Sequence, residues 1–152
     1  MKRKAILSTS LFVGALAFVN VLLVSSGNGE PSPSVANFMV MGDGPYSDKE
    51  FPVIEKDLKT TSSAVDFIVH VGDIVRTDCS IERLSRTADL LRLSQAPVVL
   101  VVGDNEYNDC PNPGESLRNW RSIFSKFYKH WEDLDNVRHQ EGRPENYLFV
   151  RS

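Results

Sequence analysis

From residue 37 onward, short apolar runs alternate with stretches of helical periodicity. Residues 37–41 (NFMVM), 66–71 (DFIVHV) and 97–102 (PVVLVV) read as strands. Near-continuous Val, Ile and Leu is the composition of strands covered on both faces. Between the first two, residues 47–59 place Phe51, Ile54 and Leu58 on one helical face. Ser47 and Glu50 have capping-box spacing, and Pro52 moves the start to about Phe51, since proline is tolerated only in the first turn. Residues 80–93 form a second helix, with Ile81, Leu84, Ala88 and Leu91 on one face and Ser80 as the cap. A third, long helix is expected over 117–134, where Trp120, Ile123, Phe124, Phe127, Trp131 and Leu134 make an apolar stripe. Helical spacing assigns that stripe to the core. Residues 147–151 read as a fourth strand whose hairpin partner is missing.

The order β-α-β-α-β-α-β defines an α/β domain with a mainly parallel sheet. In such sheets the site forms at the carboxyl ends of the strands. No solenoid repeat is present. The N-terminal part of the chain is different in kind: Lys2, Arg3 and Lys4 precede an uncharged run over 5–24, and small residues follow. This is a targeting segment, 1–26. Val24 and Ser26 suit signal cleavage before Gly27, while a run of about twenty residues also suffices for an uncleaved membrane anchor. Either reading sends the body into the secretory pathway, and membrane contact would be confined to 5–24. Residues 27–36 are a Gly/Pro/Ser linker, leaving 37–152 as the domain.

Charge adds an exclusion. Without Lys2, Arg3 and Lys4, 14 basic residues face 20 acidic ones, so the body has no basic stripe for nucleic acid. The two cysteines, Cys79 and Cys110, are too few for a disulfide scaffold and lack zinc spacing. In an oxidising compartment they suggest one bridge.

Each of the three main apolar runs ends in Gly-Asp: Gly42-Asp43, Gly72-Asp73 and Gly103-Asp104. A single Gly-Asp after a strand is ordinary turn chemistry. Three on consecutive strands put three carboxylates on one sheet edge, where they repel unless a cation lies among them. Oxygen donors of this kind suit hard divalent ions.

With these turns in place, VHVGDI (69–74) and VVGDNE (101–106) resemble the second and third motifs of the calcineurin-like metallophosphoesterases, and MGDGPYS (41–47) stands where the first belongs. The resemblance implies the first half of a metallophosphoesterase-like α/β sandwich, incomplete in this chain. It also implies hydrolysis of phosphate esters by two divalent ions (Mn, Fe, Zn or Mg) that generate the attacking hydroxide. Asp43 matches a ligand of the first ion, Asp73 the carboxylate bridging both, and Asp104 stands where the family has an Asn ligand of the second. Asn105 replaces the family's catalytic His, and Glu106 matches the acid that orients it. Pro45 replaces a ligating His. Asn105 cannot serve as an acid near neutral pH. The three histidines lack ligand spacing: His70 reads as packed core, His130 as a solvated helix position, His139 as part of a polar loop. Tyr46 and Tyr107 are not assigned the metal-bound tyrosine of purple acid phosphatases. Cys79 and Cys110 each lie six positions after their motif aspartate, in loops leaving the same sheet edge, and are expected to form the bridge. The rival to a hydrolase is a short, non-catalytic protein that binds a metal or a partner.

Overall fold

The computed structural model describes residues 17–22, 35–131 and 134–150. Four strands form one sheet in the order β1-β2-β3-β4: β1 (Ala17–Leu22), β2 (Val35–Met41), β3 (Phe67–His70) and β4 (Val98–Leu100). β2, β3 and β4 are parallel, in register Phe38–Phe67 and Ile68–Val98, and β1 adds antiparallel to β2. The parallel pairs are joined by α1 (Phe51–Thr61) and α2 (Ile81–Leu91), as the apolar periodicity predicts. β1 draws six residues of the N-terminal apolar run into a strand rather than a helix. The rest of the 1–26 segment and most of the 27–36 linker lie outside the described residues. No helix among the described residues is long and apolar enough to cross a membrane.

Alternation along the strands sends Met39, Met41, Ile68, Val98 and Leu100 to one face, where they are buried with Phe51, Leu58, Leu84 and Leu91 from the helices. The opposite face is less covered than near-continuous apolar strands suggest. Phe38 stacks on Phe67 at 5.0 Å, Phe149 meets Phe67 edge-on, and Val71 and Val101 at the strand ends stay exposed.

The expected capping box does not cap α1, whose N-cap, Glu50, makes no side-chain bond to the helix. α1 begins at Phe51, and the Glu50 carboxylate reaches back to the Tyr46 N–H and the Ser47 hydroxyl. Ser80 caps α2 by accepting from the Arg83 N–H. The third helix departs from expectation: α3 spans Pro113–Phe124, and a separate 3-10 helix covers Phe127–His130. Asn112 caps it by accepting from the Glu115 N–H, and proline occupies the first turn, where its missing N–H costs nothing. The break after Phe124 does not interrupt the aromatic stripe. Trp120, Phe124, Phe127 and Trp131 touch in succession, and the Trp131 indole donates to the Ser94 carbonyl at 3.0 Å.

The last strand also departs, because it is paired. β5 (Asp135–Gln140) and β6 (Arg143–Val150) form an antiparallel hairpin turned at Glu141-Gly142, with Gly142 at φ +71°. β5 is polar, so no apolar run announces it, and His139 lies on a strand rather than in a loop. Polar contacts join Phe149 in docking the hairpin. Arg121 holds the buried Glu145 with two bonds of 2.9 and 3.0 Å, and the Tyr147 hydroxyl accepts from the Leu100 N–H at the edge of β4.

Candidate functional site

The carboxyl ends of β2, β3 and β4 are tied together by their own backbones. Asp43 N–H donates to the Gly72 carbonyl (3.3 Å), Gly44 N–H to the Asp73 carbonyl (2.8 Å), and Val101 N–H to the His70 carbonyl (3.0 Å). This close approach explains two of the glycines. A Cβ on Gly72 would collide with the backbone of Gly103, and Gly72 is at φ +96°. A Cβ on Gly103 would strike Asp73 and the Glu106 carboxylate.

Asp43 and Asp73 share a conformation that the third aspartate lacks. Both have left-handed backbones, φ +57° and +58°. A non-glycine residue holds that region at a cost of about 1 kcal/mol or more, and Asp tolerates it better than most. Two such turns at matching positions of adjacent strands hold two carboxylates on one edge. Asp104 instead opens a helical turn, its carbonyl accepting from the Tyr107 and Asn108 N–H groups, and it is exposed. The three Gly-Asp turns are alike in sequence and unlike in structure.

Tyr46 joins the first and third turns. Its hydroxyl donates to Asp43 Oδ1 at 3.1 Å and accepts from Asn105 Nδ2 at 3.3 Å, while the Asn105 N–H donates to Asp73 Oδ1 at 3.2 Å. Burial, the bond to Asp43 and the charges of Asp43, Asp73 and Glu106 push the phenol up to about 12, so it remains a donor across the physiological range. Sequence reasoning left Tyr46 without a role. Its position three residues beyond Asp43 is the only signal, and that spacing has no meaning until the turn is formed.

Glu106 is fully buried and faces backbone donors: the Ile74 N–H and, at 2.6 Å, the Gly103 N–H. Burial pushes its carboxyl up, against the pull of the N–H groups of Ile74, Asp73 and Gly103. With Asn105 in place of a histidine, Glu106 orients no imidazole. It clamps the second motif loop to the third.

His70 is core, as its strand position implied. Its Nδ1 accepts from the Gly72 N–H at 3.2 Å, which leaves Nε2 as the protonated nitrogen, 3.1 Å from the Gly44 carbonyl it donates to. Burial pushes it down to about 4. Both ring nitrogens serve the turns, so His70 is unavailable as a ligand. His130 is exposed, and His139 packs beside Tyr128 and Tyr147.

Cys79 and Cys110 form the expected disulfide, with Cα atoms 5.9 Å apart. Both sulfurs lie close to the Asn105 carbonyl, at 3.7 and 3.3 Å, so the bridge backs the third motif loop.

Whether these residues suit a metal depends on donor type and convergence. Asp43 and Asp73 are hard oxygen donors on neighbouring turns, suited to a divalent cation such as Mn²⁺ or Mg²⁺. Among the described residues, however, no three His, Cys, Asp or Glu side chains close on a common point. The described residues therefore do not by themselves assemble a metal-binding group, and the ligand shells of two ions are not furnished among them.

The polar residues gather at the carboxyl ends of the parallel strands, the edge at which α/β sheets bind their ligands. The family comparison names the class: the calcineurin-like phosphoesterase domain matches residues 36–151, about three quarters of the chain. The chain belongs to that family. No curated protein and no solved structure gives a significant match.

Proposed function

We propose that this chain carries the metal-binding edge of a phosphoesterase that hydrolyses phosphate esters, with Asp43 and Asp73 as the carboxylates that hold a divalent ion. The observation that carries the reading is the matched pair of left-handed Gly-Asp turns on adjacent parallel strands, cross-bonded through Gly44 and Asp73. A divalent ion bound there would neutralise charge on a phosphoryl group and make water more acidic. The chain's own residues have separate tasks. Tyr46 holds the Asp43 carboxylate and the Asn105 amide in fixed relation. The Asn105 side chain can donate to a phosphoryl oxygen but has no proton to give a leaving group. Glu106 and His70 hold the loops and do no chemistry. In keeping with the disulfide and the apolar N-terminal run, we place the body outside the cytoplasm, secreted or anchored through residues 5–24.

The missing acid favours a second reading, a domain that binds a metal or partner without turnover. One pair of measurements separates the two. Calorimetry should show Mn²⁺ binding to the 152-residue chain that falls most in Asp73→Asn and less in Asp43→Asn and Asp104→Asn. Absence of binding by the parent, or equal losses at all three positions, would reject the site. Turnover of an aryl phosphate with added Mn²⁺ is expected to be slow, because losing the general acid alone forfeits about 10²–10⁴-fold. Turnover abolished by Asp73→Asn establishes the hydrolase; binding without any turnover establishes the non-catalytic domain.

A further inference from the structure

Beside the carboxylate edge lies an open cavity of about 330 Å³, lined by Tyr46, Ser47, Arg76, Thr77 and Arg83 together with Asp48 and Asp78. Tyr46 belongs to both places, since its hydroxyl bonds Asp43. A group bound in the cavity is therefore one residue away from the carboxylate pair.

The wall has no aliphatic side chain, and its charges are unequal in availability. Asp48 accepts from Arg83 (3.2 Å) and Arg86 (2.5 Å), and Asp78 accepts from the Ser80 N–H (3.2 Å). Asp48 thus offsets Arg83 and Arg86 through one oxygen, and Asp78 is turned to the Ser80 backbone through one oxygen. Arg83 is also fixed: it donates to the Pro45 carbonyl at 2.9 Å, and only 12% of its side chain is exposed. Two of its five N–H groups are used in these bonds, and the others remain. Arg76 is exposed and has no hydrogen bond or ion pair among the described residues. One anchored guanidinium, one uncommitted guanidinium and the Thr77 hydroxyl make a recess for an anion. Guanidinium groups recognise phosphate in a bidentate manner, and anchoring one of them beforehand lowers the entropy lost on binding.

We propose that this cavity binds a phosphate group, with Arg76 as the principal contact and Arg83 as the fixed one. The inference rests on the phosphoesterase reading for its meaning, and the preferred substrate class becomes a phosphate ester that carries a further phosphate.

The test is independent of metal and turnover. The full chain, labelled with ¹⁵N-arginine and kept in chelator, is titrated with inorganic phosphate at constant ionic strength. The Nε–Hε resonances of Arg76 and Arg83 should shift and saturate with a Kd on the order of 1–10 mM. Arg76→Gln should weaken binding by about tenfold, the loss of one charge-assisted contact, while Arg76→Lys recovers part of it. Asp73→Asn should leave the shifts in place. No saturable shift up to about 50 mM, ten times the middle of that range, would overturn the site. So would loss of binding in Asp73→Asn with retention in Arg76→Gln. Equal shifts with acetate would overturn the assignment to phosphate. Failure of Mn²⁺ binding leaves this titration untouched, so the two ideas fail separately.

Discussion

His70 makes the stability of the strand-end edge depend on acid. Its Nδ1 accepts the Gly72 N–H and its Nε2–H faces the Gly44 carbonyl. A proton on Nδ1 removes the acceptor and sets two donors against each other inside the core. With the unfolded value at 6.5 and the folded value pushed down to about 4 by burial, the unfolded chain binds more protons throughout that window. The contribution is therefore complete above pH 6.5 and is lost as pH falls towards 4. Linkage gives a loss of about 2 kcal/mol between pH 7 and pH 5, approaching 3 kcal/mol at pH 4. In the upper part of the window His70 is opposed by Glu106, whose carboxyl burial pushes up and which therefore gains stability as pH falls. Asp48, Glu50, Asp78 and Glu145 are held below the usual carboxylate range, so their losses begin at lower pH. Urea unfolding at pH 7 and pH 5 measures the effect, with His70→Asn as the control. The asparagine can still accept the Gly72 N–H but does not titrate. The variant should be weaker at pH 7 by about 1–3 kcal/mol and should lack the fall in stability that the parent shows from pH 7 to 5. Parallel pH dependence in parent and variant, or imidazole ¹⁵N shifts showing the proton on Nδ1, would refute the argument.

Two further outcomes follow from the same edge. Glu106→Gln replaces an acceptor-only carboxylate with an amide whose NH₂ must face a backbone donor, so unfolding should become easier by about 1–3 kcal/mol. Chemical denaturation checks this, and an unchanged midpoint would show that Glu106 is not the clamp described. Gly72→Ala places a Cβ against Gly103 at φ +96°, which should cost about 2–5 kcal/mol from overpacking and backbone strain together. A variant with the parent melting temperature would mean that the two turns are not in contact.

The sequence by itself did not determine β1 or β5, but it determined the central order β2-α1-β3-α2-β4, the Gly-Asp turns, the buried His70 and the cysteine pair. All of these are written locally, as apolar periodicity, caps and a glycine at the end of each run. The start of α3 is also written locally, in Asn112-Pro113 followed by Glu115, although the aromatic stripe downstream points to a later one. A stripe records which residues are buried, and a helix followed by a 3-10 turn buries the same ones. β5 left no local trace, since DNVRHQ has no hydrophobic alternation to read. Only the tertiary structure decided what the site residues do. Asp43, Asp73 and Asp104 have the same neighbour in sequence, yet long-range bonds to Gly72, Gly44 and Asn105 hold the first two in one edge and leave the third on its own turn. Tyr46 meets Asn105, and Glu106 meets Ile74, across separations of 59 and 32 residues. Such pairings arise from the packing of parallel strands at close range, and no periodicity in the chain encodes them.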